Sequence, residues 1–228
     1  MPDNVSALHL VLSGDASLVA IVWLSLIVSL VAVLLALVIG VPFGALVALT
    51  RFPARETLIV VLNALMGLPP VVAGLIVFLL LSRSGPFGSW GLLFTPQAMV
   101  VAQTTLIAPI IAALTRQTIE DLWIEYKDEL AAMNVGPTRR IVTLIWDARY
   151  SLVTALLAGF GRAAAEVGAI IIVGGNIDGF TRTMTTTIAM ETSKGDLPLA
   201  IGLGLVLMVI VIAINGLAWG VRRASERY

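Results

Sequence analysis

The sequence predicts an all-α membrane protein, a polytopic bundle of about five transmembrane helices. Of its 228 residues, 59% are hydrophobic and 12% are charged, and the mean hydropathy is +1.01. One soluble core could not bury so many apolar side chains, and these side chains occur in long runs. The runs lack the alternation of apolar and polar residues that marks a membrane β-barrel, so helices are favoured.

Five apolar runs are long enough to cross a bilayer, whose hydrocarbon core of about 30 Å needs roughly 20 helical residues. The predicted spans are 18–49, 57–82, 96–114, 150–173 and 197–221. The first run is longer than a bilayer requires and contains Gly40, Pro42 and Gly44, so we expect it to tilt, kink or project. No Lys or Arg precedes it, which argues for a retained span over a cleaved signal.

The basic residues predict the orientation of the chain. If the spans alternate, ten of them share one side: Arg51, Arg55, Arg116, Lys127, Arg139, Arg140, Arg149, Arg222, Arg223 and Arg227. Arg83, Arg182 and Lys194 fall on the other side. By the positive-inside rule we expect the amino terminus outside and the carboxyl terminus in the cytoplasm. We expect one domain over 1–228, with its core at about 18–221 and a cytoplasmic loop at 116–149.

Composition also excludes several classes of function. The formal net charge is zero, which argues against a nucleic-acid partner. The chain has no cysteine and a single histidine, His9, so neither disulfides nor a metal site is expected. A membrane enzyme would need paired titratable groups facing a cavity, and the spans offer only Arg162 and Glu166.

The loop at 116–149 holds 11 of the 28 charged residues of the chain. An amphipathic helix is predicted in it, because four apolar side chains recur at helical spacing: Trp123, Tyr126, Leu130 and Met133. A corner at Asn134, Gly136 and Pro137 should end this helix, with Gly136 in the left-handed conformation. Thr138 is the expected cap of a second short helix over "RRIVTLIW". An ordinary solvated loop is the alternative.

A charged pair falls inside the fourth predicted span. Arg162 and Glu166 are one helical turn apart, and Arg162 lies about 20 Å along the helix from its start at Tyr150. Charges at that depth are costly and usually face protein or water. Two interpretations stay open: a structural pair, or an arginine beside the route of an anion with the glutamate holding it.

The segment "GGNIDGFTRTMTTT" follows the fourth span. Gly174 and Gly175 should break the helix and let backbone amides approach a ligand. Donors that suit a tetrahedral oxyanion come from Asn176, Thr181, Arg182, Thr183, Thr185, Thr186 and Thr187. The alternatives are an external gate, a docking surface for a binding protein, and a capped loop whose threonines satisfy its own backbone.

Three prolines are predicted to kink the spans. Pro69 and Pro70 fall in the second span and Pro109 in the third, and each removes a helical hydrogen bond. A hinge for alternating access is the alternative to a fixed kink.

The loop resembles the cytoplasmic loop of ABC-transporter permeases of the type I importer class, whose Glu-Ala-Ala, three residues, Gly motif docks a coupling helix on an ATPase. Ala131, Ala132 and Gly136 match that motif, whereas Leu130 occupies the glutamate position with Glu129 one residue earlier. The family's later Leu-Pro is absent. The resemblance implies an ATPase-coupling surface that includes Glu129, Ala131, Ala132, Gly136, Arg139 and Arg140.

Two further segments resemble the tungstate-uptake permeases, close relatives of the molybdate permeases. They are "LPPVVAGLIVFLLLSRSGPFG" (68–88) and "GFGRAAAEVGAIIIVGGNIDGFTRTMTTTIAMETSKG" (159–195). This resemblance implies a permease in the cell membrane of a prokaryote that imports a tetrahedral oxyanion, expected to be tungstate, with molybdate or sulfate as alternatives. It also implies an external substrate-binding protein.

Import of a dianion needs an energy source outside this chain. Moving two negative charges against about 100 mV costs roughly 4.6 kcal/mol. The chain lacks a G-x-x-x-x-G-K-[ST] loop, so we expect it to bind no cofactor and a partner ATPase to use ATP and Mg. Five spans are too few to enclose a gated path, so we expect two copies with two ATPase subunits. A passive channel is the alternative, but it gives the cytoplasmic loop no task.

Overall fold

The computed structural model describes the backbone of residues 16–225 and the side chains of 16–220 apart from Ala218. Within this range the chain forms nine α-helices, one 3₁₀ turn at Gly88–Trp90 and no strand. The helices are α1 Ala16–Leu49, α2 Arg55–Met66, α3 Pro70–Leu81, α4 Pro96–Ala132, α5 Pro137–Asp147, α6 Arg149–Ala164, α7 Gly168–Gly174, α8 Met184–Lys194 and α9 Leu197–Ser225. The predicted all-α fold is confirmed. His9, Arg227 and the side chains of Arg222 and Arg223 lie outside the described residues.

Three helices are long and apolar enough to cross a membrane unaided. They are α1, α4 and the part of α9 at Leu197–Leu217. Two bent pairs, α2 with α3 and α5 with α6, pass the same test when each pair is taken together. By length and composition, the described residues therefore supply three to five segments able to cross a membrane, and the predicted five is the upper count.

The second predicted span is broken instead of kinked. α2 ends at Met66, α3 begins at Pro70, and the two helices are bent by 104°. Pro69 has extended backbone angles (φ −61°, ψ 128°) and Pro70 is the first residue of the new helix. A proline disfavours helical geometry in the residue before it, so two consecutive prolines stop one helix and start another. The single prolines behave differently, because α1 continues through Pro42 and α4 through Pro109.

The fourth predicted span, 150–173, is also discontinuous. α6 ends at Ala164 and α7 starts at Gly168, although no proline lies between them. The Glu166 side chain accepts a hydrogen bond from the backbone N–H of Ala169 (3.0 Å), which replaces a helical carbonyl as the acceptor. α7 then packs on α3, where a Cβ on Gly74 would lie 2.7 Å from the Cα of Ala169.

The third predicted span extends far beyond its expected end near residue 114. α4 is continuous for 37 residues and includes the segment predicted as a separate amphipathic helix in the cytoplasmic loop. Because the helix does not stop where the apolar residues stop, the first part of the loop, as far as Ala132, is a helical continuation of the span.

Contacts between Cα atoms divide the described chain into two compact units. Unit 1 contains residues 16–32, 69–103 and 161–225, and unit 2 contains 33–68 and 104–160. In unit 1, α3 packs against α7 and α8 against α9. In unit 2, Gly40 and Gly44 of α1 pack closely on α4. Since α1, α4 and α6 each contribute residues to both units, the units are not separable along the chain, and the single domain over 1–228 stays a prediction.

Candidate functional site

The candidate coupling loop in unit 2 rests on a buried apolar cluster. The cluster joins α1, α4 and α5 and consists of Ala45, Ala48, Ile119, Leu130, Leu144 and Ala148. Trp123, Tyr126 and Val135 pack against it. Met133 was predicted on the same inward face, but it is 75% exposed because α4 ends one residue before it. The loop is therefore anchored by apolar packing on this cluster.

The corner of this loop is built by Asn134. Asn134 adopts the left-handed conformation (φ 54°), the Val135 N–H bonds the Leu130 carbonyl (3.1 Å), and the Asn134 N–H bonds the Ala131 carbonyl (3.0 Å). This pair of bonds is a Schellman motif, and Val135 makes the apolar contact that accompanies it.

Two predicted roles at this corner are wrong. Gly136 is extended (φ −67°, ψ 159°) and not left-handed, because the following Pro137 disfavours other geometries. Gly136, and not Thr138, is the residue that precedes α5, with Pro137 at its first position. Asn134 tolerates the left-handed region well enough to take the role expected of glycine.

The predicted coupling residues form a mostly exposed surface. Glu129, Ala131, Ala132, Gly136 and Arg139 are all exposed. Arg140 differs, since its Nε donates to the Val135 carbonyl (2.7 Å) and its guanidinium lies 5.7 Å from the centre of the Trp123 ring. Arg140 therefore holds the corner, and the other five residues are available to a partner.

An ion network that the sequence did not reveal ties the start of α2, and through it the end of α1, to α4. Glu120 receives both Arg55 and Arg116 as ion-pair partners. Arg55 also donates from Nε to the carbonyl of Val47 (2.9 Å), near the end of α1. Only the four-residue spacing of Arg116 and Glu120 could have suggested part of this network, because Arg55 is 65 residues from Glu120. The network fixes the base of the loop to the end of the first helix.

The charged pair in unit 1 sits at the break between α6 and α7. Arg162 Nη1 lies 3.5 Å from Glu166 Oε2, while Glu166 Oε1 accepts the Ala169 N–H. The two side chains differ in solvent exposure: Glu166 is 2% exposed and Arg162 is 32% exposed. The carboxylate is thus fully engaged in protein contacts, whereas part of the guanidinium is open.

Side chains from other helices bond the backbone around this break. Gln103 of α4 donates from Nε2 to the Ala163 carbonyl (3.0 Å), and Thr185 donates from Oγ1 to the Glu166 carbonyl (2.7 Å). Backbone groups freed at membrane depth need such partners, which explains how a span tolerates the break. Gln103 was not among the predicted site residues, although a glutamine within an apolar span was the available signal.

The predicted break at Gly174 and Gly175 is confirmed. α7 ends at Gly174, and Gly175 is left-handed at φ 73°. Asn176 is also left-handed (φ 50°) and its Nδ2 contacts Met190 Sδ at 3.5 Å. Arg182 pairs with Asp178 at 2.8 Å. These contacts form a compact turn after α7.

The threonines of this segment have partners within the protein. Thr183 caps α8 in a reciprocal capping box with Thr186. Thr181 donates to the Gly174 carbonyl (2.6 Å) and Thr187 to the Thr183 carbonyl (2.7 Å). With Thr185 bonded to Glu166, these hydroxyls act in the structure as backbone caps, and their contact with a substrate stays a prediction.

Curated proteins similar to this chain are transporter permeases. A probable anion ABC transporter permease of Haloferax volcanii is 40% identical over 90% of this chain and 91% of its own length. The tungstate uptake system permease protein TupB of Peptoclostridium acidaminophilum is 38% identical over 95% of both chains. The sulfate transport system permease CysW of Synechocystis is 27% identical over 87% of this chain and 75% of its own. No protein-family model matches the chain.

A solved structure shows the same fold. A chain of the MetNI methionine ABC transporter, in an inward-facing conformation, aligns with a TM-score of 0.73 over 91% of this chain and 95% of that chain, at 20% identity. The predicted permease fold of ABC importers is therefore confirmed. With relatives 38% and 40% identical over at least nine tenths of its length, this integral membrane chain belongs to the ABC transporter permeases.

Proposed function

We propose that this ABC importer permease subunit carries tungstate across the cell membrane. The observation that supports this substrate is the 38% identity to a tungstate uptake permease over 95% of both chains, against 27% for a sulfate permease. Molybdate and sulfate have the same charge and tetrahedral shape, so they are the alternatives. In the proposed route, an external binding protein selects the anion and delivers it to the permease.

The proposed machine contains two copies of this chain and two ATPase subunits. The cytoplasmic surface around Ala131, Ala132 and Gly136 would contact the ATPase, since these small residues are exposed on a loop that packs on a buried apolar cluster. Because α4 runs unbroken from 96 to 132, a displacement of this surface would be transmitted along one helix into the membrane. Binding of the ATPase would thereby be coupled mechanically to the transport path.

The substrate assignment is tested by uptake into cells that express the chain with its ATPase and binding protein. We expect accumulation of tungstate, measured by mass spectrometry of cell metal, to require a hydrolysing ATPase. Equal amounts of molybdate should compete more weakly, and excess sulfate should not compete, because the binding protein discriminates oxyanions by size and hydrogen bonding. If sulfate is the anion that accumulates, the tungstate assignment is wrong while the permease assignment stands.

Ala132→Glu is expected to weaken capture of the ATPase by the tagged permease at least about tenfold, as for a charge placed in an interface core. Capture is measured by pull-down from detergent-solubilised membranes. Ala132 is exposed, so the free energy of unfolding of the permease alone should stay within about 0.5 kcal/mol of wild type. Ser89→Glu introduces the same charge on an exposed residue of the 3₁₀ turn and should leave capture unchanged. Equal capture by both variants would contradict the proposed coupling surface.

A further inference from the structure

A cleft lies in the elbow between α5 and α6 of unit 2. The two helices are bent by 67° and separated only by Ala148. The cleft has a volume of about 430 Å³, within the range of roughly 300–1,000 Å³ typical of small-molecule sites. Its lining consists of Leu37, Val142, Ile145, Trp146, Arg149, Leu152, Val153 and Leu156. Arg149 is the single charged residue of this lining.

The lining forms a continuous apolar stripe on both arms of the elbow. On α5 it includes Val142 and Trp146, and on α6 it includes Leu152 and Leu156, each pair spaced by four residues on one helix face. Leu144, on another face of α5, is buried in the apolar cluster on which the candidate coupling loop packs. Val142 and Trp146 are 62% and 67% exposed, so most of this part of the apolar face is left uncovered by the described chain.

Arg149, the first residue of α6, lies between the two halves of this stripe and has the geometry of an anion-binding residue. Its guanidinium lies 5.0 Å from the centre of the Trp146 ring and 4.4 Å from that of Tyr150. Nη1 donates to the Trp146 carbonyl (2.8 Å) and Nη2 to the Tyr150 hydroxyl (3.3 Å). These bonds use two of the five donors of a guanidinium and fix its position, which leaves donors for a phosphate.

We propose that this cleft binds a phospholipid with an anionic headgroup, whose acyl chain lies along α6 and whose phosphate contacts Arg149. The combination of an apolar groove with one arginine between a tryptophan and a tyrosine matches a lipid at the membrane interface. A second protein copy would have to bring an acceptor group to the remaining donors of Arg149, whereas a lipid brings its own negative charge next to its apolar chain. The positive-inside rule places this site at the cytoplasmic leaflet.

The site does not depend on the identity of the transported anion. It requires only that the chain crosses the membrane and that α5 lies where the headgroups are. α5 has a polar side as well, with exposed Arg139, Thr143 and Asp147, so the helix can border lipid on one side and water on the other.

The test compares lipid retention by the purified permease complex in nanodiscs of phosphatidylcholine and phosphatidylglycerol. Arg149→Gln is expected to lower the preference for phosphatidylglycerol about fivefold, measured by native mass spectrometry of bound lipids. Arg51→Gln removes an exposed arginine that is not part of the lining and should leave the preference unchanged. Val153→Phe, which fills the cleft, should lower retention of both lipids.

Two results would overturn the proposal. One is unchanged phosphatidylglycerol preference in Arg149→Gln. The other is occupation of the cleft by a second copy: the chain has no native cysteine, so cross-links formed between copies by Trp146→Cys in membranes would report it directly. Should Val153→Phe fail to fold, the paired arginine variants still decide the outcome.

Discussion

Gly44→Ala is expected to lower the stability of the permease by about 1–3 kcal/mol or more, the range for overpacking a filled interface. A Cβ on Gly44 would lie inside contact distance of the Ala112 carbonyl and 2.9 Å from the Cβ of Thr115. Backbone atoms of α4 cannot rotate away, so the two helices must separate. In lipid, helices associate chiefly through close packing at small residues. If α1 and α4 separate, little other attraction remains to hold them together. The measurement is the melting temperature in detergent, together with uptake activity.

Other glycines of the chain provide matched controls for this effect. A Cβ on Gly40, one turn earlier, would lie 3.0 Å from the Ala108 carbonyl, so Gly40→Ala should be destabilising to a smaller degree. A Cβ on Gly216 in α9 would meet no heavy atom of another part of the described chain within 4 Å, and alanine there should be neutral or stabilising by up to about 1 kcal/mol because of its helix propensity. If Gly44→Ala proves as stable as Gly216→Ala, the close contact of α1 and α4 is wrong.

Most helices could be predicted from the apolar runs, because the hydropathy of a segment depends only on its own residues. α1, α4 and α9 begin within two residues of the predicted spans at 18, 96 and 197. Pro69 and Pro70 were recognised as a disturbance, but a local pattern could not distinguish a kink from a bend of 104°. That distinction depends on where the following helix packs, which for α3 is against α7.

The break before α7 shows a second limit of local patterns. Residues 165–167 are Ala, Glu and Val, none of which forbids a helix. The break is stabilised by distant side chains, Gln103 and Thr185, that bond the carbonyls of Ala163 and Glu166. Because these contacts join residues far apart in sequence, the hydrophobic pattern contained no trace of them. The same reason hid the contact of Arg55 with Glu120.

The structure of the candidate coupling loop was predicted correctly in outline and wrongly in detail. Its helix, corner and helix follow from the amphipathic spacing and from Pro137, which are local signals. The choice of Asn134 over Gly136 for the left-handed position depends on Pro137 restricting its neighbour, an effect that the sequence contained and the prediction overlooked. Exposure of Ala131 and Ala132 keeps the proposed contact surface intact despite these corrections.

Arg162→Gln is expected to lower tungstate uptake about tenfold or more while the permease still assembles with its ATPase. The guanidinium is 32% exposed beside a buried partner, so it can offer donors to a passing anion. Loss of a hydrogen bond to a charged group costs about 1.5–3 kcal/mol, which corresponds to at least a tenfold effect. Uptake is measured by mass spectrometry of cell metal, and assembly by size-exclusion chromatography. Arg162→Lys retains the charge and should keep part of the uptake.

A second substitution, at the partner residue Glu166, distinguishes a transport role of Arg162 from a structural one. Glu166 is 2% exposed, so Arg162→Gln leaves a buried carboxylate with the Ala169 N–H as its remaining close partner and can itself cost stability. The double variant Arg162→Gln with Glu166→Gln keeps the shape of the pair without either charge, and it should therefore fold better than the single variant. If Arg162 serves the anion, the double variant assembles but its uptake stays as low as that of Arg162→Gln. If the pair is structural only, restored folding brings restored uptake, and the assignment of Arg162 to the path is then wrong.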